Sequence, residues 1–246
     1  MLTEDRFEKI LELVNENGSV TVSDICEILG VSESTARRDI VALDKNKKLQ
    51  KVFGGAIALE HTVISAEPTV AQKLMVNEEG KRVIAKKAVE FVEAEDVIYL
   101  DAGTSTGYML DYLSIKSVRI CTNSISHAKV LAAKGFKVIL LGGEVKGTTE
   151  AIIGSQAMKM LEHFHFTKGF FGTNGVTKEA GFTTPDSSEA LIKELAMKQC
   201  RHCYVLADSE KFDVISSVTF AKYTDATIIT DNVKKGYGKW NNIVVG

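Results

Sequence analysis

Apolar residues recur with a helical period from the start of the chain. Phe7, Ile10, Leu11 and Val14 stand at i, i+3, i+4 and i+7 within residues 3 to 16, which predicts an amphipathic helix with one buried stripe. Asn17, Gly18 and Ser19 end it. Val22, Ile25, Cys26 and Leu29 repeat the spacing, so a second helix follows, begun by Thr21 or Ser23 and stopped by Gly30. Cys26 is then a packing residue. After the tight turn at Gly30 and Val31, Ser32 is placed to cap a third helix whose inward face is Ala36, Ile40 and Leu43. Three short helices sharing one small core predict a helix-turn-helix unit.

The opposite side of the third helix carries Ser34, Arg38, Val41 and Lys45, flanked by Thr35 and Arg37. Between Arg37 and Lys51 there are six basic and two acidic residues, a local excess of +4 in a chain of net charge −2. The overall charge argues against a protein that coats nucleic acid, so any contact with DNA must be local. Short hydroxyls at the start of a helix reach base edges or phosphates, and arginine can fork onto guanine O6 and N7. A basic helix face by itself is more often the solvated side of a small bundle. The following segment favours DNA: Leu49 to Val52 and Ala56 to Leu59 flank Phe53-Gly54-Gly55, a hairpin that would complete a winged helix over residues 1–58. The residues expected to face operator double-stranded DNA are Ser32, Ser34, Thr35, Arg37, Arg38, Lys45, Lys51, Gly54 and Gly55.

Residues 60 to 70 lose periodicity and include Pro68, which places a linker over 59–72 and a second domain over 73–246. There a helix starting at Glu78 places Ile84, Ala85, Ala88 and Phe91 on one side. Short apolar strands follow at Val97 to Leu100, Val118 to Thr122, Val138 to Leu141, Gly169 to Phe171, Tyr204 to Ala207 and Thr227 to Ile229, separated by helical patterns. This alternation predicts an α/β domain with a doubly wound, largely parallel sheet, whose ligands sit at the C-terminal strand ends.

The polar motifs fall at those ends. The first strand runs into Asp101, Ala102, Gly103, Thr104, Ser105, Thr106 and Gly107, followed by a helical stretch from Tyr108 to Leu113. A glycine and three hydroxyls at a strand-to-helix turn suit a phosphate, although a simple capped turn has the same look. The Walker lysine and the full dinucleotide glycine pattern are missing, which argues against ATP and NAD. Thr122-Asn123-Ser124, Gly142-Gly143-Glu144, Gly172 to Gly175 and Asp208 to Lys211 end later strands. Asn and Thr can hold sugar hydroxyls, Lys211 can neutralise a phosphate, and Asp208 can orient it or bind a hydroxyl.

Composition adds exclusions. The 246 residues are 45% hydrophobic and 25% charged with two prolines, and no apolar run approaches the length of a membrane span. The N-terminus passes directly into an acidic amphipathic helix without the basic start and cleavage site of a signal peptide, so a cytoplasmic location without membrane contact is expected. Cys26, Cys121, Cys200 and Cys203 are too few for a disulfide scaffold, and the Cys200-x-x-Cys203 pair lacks a second pair for zinc. His163 and His165 have no carboxylate at ligand spacing. Neither a metal nor a cofactor is expected.

The Ser32-x-Ser34-Thr35-x-Arg37-Arg38-Asp39 run, with Arg6, Ile10 and Val14 before it and Gly54-Gly55-Ala56 after it, resembles the DeoR family of sugar-metabolism repressors. Phe53 stands where that family usually has histidine. The resemblance extends over the second domain: Asp101 to Thr106 is similar to the family's Asp-x-Gly-Thr-Thr-Thr, with Ser105 for one threonine, and Thr122-Asn123, Gly142-Gly143 and Asp208 to Phe212 match further elements. It implies a sensor domain similar in fold to ribose-phosphate isomerases and CoA transferases that binds a phosphorylated sugar effector. It also places Lys73, where arginine is commoner, Lys81, and Glu189 in the helical run Ser188 to Met197 at the site. The implied effector set is Asp101, Gly103, Thr104, Ser105, Thr106, Thr122, Asn123, Gly142, Gly143, Glu189, Asp208, Lys211, Lys73 and Lys81.

The function expected is a non-enzymatic regulator, a repressor of a sugar-catabolism operon. A homo-oligomer is expected because one small winged helix reads few base pairs and paired half-sites lie ~34 Å apart or a multiple of it. Two alternatives stand beside it. A sugar-phosphate isomerase could use Asp101, Glu189, Asp208 and Lys211 as acid, base and charge stabiliser. An adaptor could use the winged helix to hold protein rather than DNA.

Overall fold

The structure is a computed structural model and describes residues 2–17, 19–46, 48–58, 68–234, 236–237 and 241–246. Lys47, Leu59 and most of the expected linker lie outside the described residues. The chain divides into two compact units, Met1–Thr62 and Val63–Gly246.

In the first unit, α1 (Thr3–Asn17), α2 (Val22–Leu29) and α3 (Glu33–Lys45) form where the apolar period predicts them. Thr21 closes a capping box on α2, accepting from the Asp24 N–H at 3.1 Å while Asp24 accepts from the Thr21 N–H at 3.1 Å. Ser32 caps α3 through the Thr35 N–H. Ile10, Val14, Ile25, Ala36, Ile40 and Leu43 meet in one core. The segment after α1 is not only a turn: β1 (Ser19–Thr21) pairs antiparallel with β3 (Gly55–Ile57), which also pairs with β2 (Gln50–Val52). The order is β1-β3-β2, so the hairpin is anchored to a third strand. Gly55 therefore belongs to a strand rather than to the turn. A Cβ there would lie 2.1 Å from the Val20 carbonyl oxygen, so only glycine lets β3 approach β1.

The second unit begins with α4 (Val70–Leu74), capped by Thr69, and α5 (Glu78–Ala88). It continues through β4 (Val97–Leu100), α6 (Thr104–Tyr112), β5 (Arg119–Thr122), α7 (Ile125–Ala133) and β6 (Lys137–Leu140). Next come β7 (Glu144–Lys146), β8 (Ala151–Ile153), α8 (Ser155–Leu161), β9 (Phe166–Gly172), β10 (Gly175–Thr177), β11 (Gly181–Thr184) and α9 (Ser187–Lys198). β12 (Cys200–Leu206), β13 (Val218–Ala221), β14 (Thr227–Thr230) and β15 (Ile243–Val245) follow.

Among the described residues, seven strands form one sheet in the order β15-β14-β12-β9-β4-β5-β6, and every pairing within it is parallel. Alternate strand residues enter two separate cores. Ile98, Leu100, Ile120, Phe170, Leu206 and Ile229 face one, whereas Tyr99, Cys121, Phe171, Val205 and Ile228 face the other. Burial on both faces is why the strands read as unbroken apolar runs. β15 and the small sheets β7-β8 and β10-β11-β13 escape that reading because their segments are short and mixed in polarity.

Helix α6 starts at Thr104, four residues before the sequence pattern places it. Gly107, read as the end of a loop, lies inside the helix. Its missing side chain makes room for His127, whose Nε2 would lie 3.0 Å from a Cβ at that position.

Candidate functional sites

In the first unit, Ser34, Arg37, Arg38 and Lys45 are exposed on α3, with Thr35 half-buried. The Ser32 hydroxyl lies 3.0 Å from both the Ser34 and Thr35 hydroxyls. Arg37 pairs with Glu33 one turn earlier at 3.0 Å, on an open surface where such a pair holds the side chain weakly. Asp39, one residue beyond the two arginines, is turned inward: Arg6 donates to its two oxygens at 2.7 and 3.0 Å, fastening α1 to α3. The Asp44 carboxylate accepts from the Lys51 N–H at 2.8 Å, tying the wing to the end of α3. Gly54 is exposed and Gly55 buried, and Phe53 projects completely into solvent at the wing tip.

In the second unit, the C-terminal ends of β4 and β9, with Lys211 from the segment after β12, border a cavity of about 140 Å³. Lys73, Lys81, Lys193 and Lys211 line it together with Gly103, Thr104, Ser105 and Glu189. The first-turn N–H groups of α6 have no acceptor inside the helix, which makes this end favourable to an anion. Lys81 is 2% exposed; its ammonium donates to the Lys73 and Val76 carbonyls, closing the C-terminal end of α4 onto α5. Burial pulls Lys81 below its ordinary pKa, with Asp208 opposing.

Lys193 was not singled out from the sequence. It pairs with Asp101 and donates to the Gly172 carbonyl at 3.0 Å, while Asp101 accepts from the Gly172 N–H at 3.0 Å. The available signal was spacing: Lys193 lies four residues after Glu189, on the same face of α9. Glu189 itself is held by Thr149 and by Lys146, the latter at 3.2 Å. Asp208 is fully buried, one carboxylate oxygen accepting from the Glu210 N–H and the other without a partner among the described residues. Burial raises its pKa, partly offset by Lys211 and Lys81.

Other expected residues hold the rim instead of lining it. The Thr106 hydroxyl donates to the Asp101 carbonyl at 2.7 Å and accepts from the Gly103 N–H at 3.1 Å. Asn123 accepts from the Ala102 N–H at 2.9 Å and donates to the Ile152 carbonyl, and Thr122 accepts from the Ser124 N–H. Gly142 is exposed beyond β6, and Gly143 lies against the Ile153 carbonyl, so neither joins the cavity lining. Cys121 is core, its thiol pushed up to about 12 by burial, and His163 and His165 are exposed. Among the described residues, no group of three or more His, Cys, Asp and Glu could hold a metal ion. No described helix is long and apolar enough to cross a membrane.

A helix-turn-helix unit followed by a parallel-sheet unit with a cationic pocket at its strand ends defines a DNA-binding regulator with a small-molecule sensor. The chain belongs to the DeoR family: the DeoR-like helix-turn-helix domain matches residues 6–62 and the DeoR C terminal sensor domain residues 76–232. It is 42% identical to the Bacillus subtilis (strain 168) protein named "Uncharacterized HTH-type transcriptional regulator FruR", over 96% of this chain and 93% of that one. It is 34% identical to the lactose phosphotransferase system repressor of Staphylococcus epidermidis (strain RP62A), over 93% and 92% of the two chains. The full-length sorbitol operon regulator SorC from Klebsiella pneumoniae is similar with a TM-score of 0.44 at 13% identity, covering 91% of this chain and 95% of that one. The protein is a transcriptional regulator, and the isomerase alternative finds no support among the matched families and named relatives.

Proposed function

We propose that the protein is a repressor of a sugar-catabolism operon, binding operator DNA as a homo-oligomer and changing its affinity for DNA when a phosphorylated sugar occupies the strand-end cavity. The observation that carries the effector reading is the set of four lysines around the N-terminus of α6, in a cavity with Glu189 as its acidic lining residue. The named repressor of a lactose phosphotransferase system among the relatives supports a sugar operon. Thr104, Ser105, Lys81 and Lys211 receive the phosphate, while Glu189 holds a hydroxyl and Asp208, buried behind the lining, balances the charge of Lys211 and Lys81. Asp101, Thr106, Thr122 and Asn123 keep the loops in place.

The transmission element in this reading is the segment from Lys73 to Lys81. Lys81 lines the cavity and also holds the carbonyls that end α4, and α4 follows the connection between the two units. An anion drawing on the Lys81 ammonium competes with those carbonyls and loosens or shifts α4. A coupling free energy of ~1–3 kcal/mol changes operator affinity about 5- to 150-fold. Fluorescence anisotropy on a duplex enriched from a random library, at fixed salt with and without saturating sugar phosphate, tests this. Unchanged affinity sinks the regulatory reading.

A further inference from the structure

A second cavity of about 300 Å³ adjoins the first and shares Lys73, Ala102, Gly103 and Thr104 with it. Its character is different. Val70, Leu74, Leu110 and Val130 supply apolar wall from α4, α6 and α7, and Ser124 and His127 supply polar groups. Among the described residues Lys73 is its one cationic lining residue, and Glu150, acidic and exposed, lines it too. Asp111 also lines it and is paired with Arg82 at 3.4 Å.

His127 is 7% exposed, and its Nδ1 has no hydrogen-bond partner among the described residues. Burial lowers its pKa to about 4, so the ring is neutral near pH 7. A buried nitrogen with an unused lone pair is costly unless something donates to it. The first cavity, at about 140 Å³, is less than half the size of the second, at about 300 Å³. Thr104 lies in the wall of both, so a ligand anchored by its phosphate in the first cavity has the second as the space next to it.

Resting on the effector reading above, we infer that the two cavities form one two-chamber site: the phosphoryl group occupies the lysine-lined chamber, and the uncharged, hydroxyl-bearing end of the ligand occupies the His127 chamber. The ligand class is therefore a sugar monophosphate long enough to reach the imidazole. A second phosphate is disfavoured, because the chamber sets Asp111 and Glu150 against the single charge of Lys73 and its walls are largely apolar.

Calorimetric titration of the full-length protein tests this with inorganic phosphate, glycerol 3-phosphate, a panel of aldo- and ketohexose monophosphates, and hexose 1,6-bisphosphates. The best hexose monophosphate binds more tightly than glycerol 3-phosphate and at least tenfold more tightly than any bisphosphate. His127→Phe weakens that monophosphate about tenfold, the size of one lost hydrogen bond, and leaves glycerol 3-phosphate within twofold. Val130→Phe, at a partly exposed wall position, narrows the chamber while leaving His127 in place and gives the same selective loss, which keeps the test valid if His127→Phe does not fold. The inference is overturned if a bisphosphate binds as well as the monophosphate, or if the variants weaken both ligands equally or neither. If glycerol 3-phosphate binding is lost in Lys211→Ala yet hexose affinity ignores both chamber variants, the second chamber alone fails. If no phosphorylated compound binds, the phosphate reading fails and the two-chamber site fails with it.

Discussion

Asp101 accepts from the Gly172 N–H and pairs with Lys193 at 1% exposure, so its carboxylate joins β4, β9 and α9 at the rim. Removing one member of a buried pair strands the other charge. Asp101→Ala is expected to destabilise the second unit by about 3–5 kcal/mol, whereas Asp101→Leu with Lys193→Met restores most of that stability. Urea unfolding of the two variants checks it; equal losses would mean that packing, not charge, dominates. His127 sets a pH dependence. Its folded pKa of about 4 lies below the 6.5 of the free side chain, so the unfolded chain takes up the proton first. Its contribution is complete above pH 6.5 and is lost as pH falls toward 4, amounting to about 2 kcal/mol at pH 5. Denaturation at pH 7 and pH 5 should show this loss in the native protein and its absence in His127→Phe. The residue types at the rim were legible in the sequence, but their division of labour was not. Thr104 lines the cavity while Thr106 donates to the Asp101 carbonyl, and a run of hydroxyls does not reveal which of them the backbone consumes.

At the scale of elements, α3 and the wing form one rigid presentation. Ser32 caps the helix, Arg6 fixes it through Asp39, and Asp44 holds the Lys51 backbone. Phe53 at the wing tip is fully exposed and cannot be explained by the core. An apolar side chain there suits contact with sugars or base edges in a minor groove. Phe53→Ala is expected to weaken operator binding several-fold without altering its salt dependence, while Lys51→Ala lowers the slope of log K against log salt by about one. Affinity measured across a salt series separates the two effects, and a changed slope in Phe53→Ala would overturn the apolar role. The helices α1 to α3 were readable because each buries a single stripe against its neighbours. β1 was not, since three residues beside a turn acquire strand geometry only when β3 pairs with them. The early start of α6 was hidden for a similar reason: Gly107 reads as a breaker until His127 is seen to need its space.

For the whole molecule, two units with separate cores predict separable functions. Arg37→Ala with Arg38→Ala should abolish operator binding yet leave the thermal stabilisation by a sugar phosphate intact, because the ligand stabilises whichever unit binds it. A melting series and a DNA-binding assay on the same preparation check this; loss of both would contradict the division, and retained DNA binding would favour a protein partner for the winged helix. The sequence by itself determined the helix-turn-helix, the largely parallel character of the large sheet and the polar ends of its strands; that every pairing in it is parallel came from the structure. Each follows from local periodicity or from apolar runs that have few alternative uses. Only the tertiary structure decided the third strand of the wing, the partnership of Lys193 with Asp101, the inward turn of Asp39 and the chamber around His127. These depend on residues far apart in the chain meeting at one place, and periodicity along the chain carries no record of such encounters.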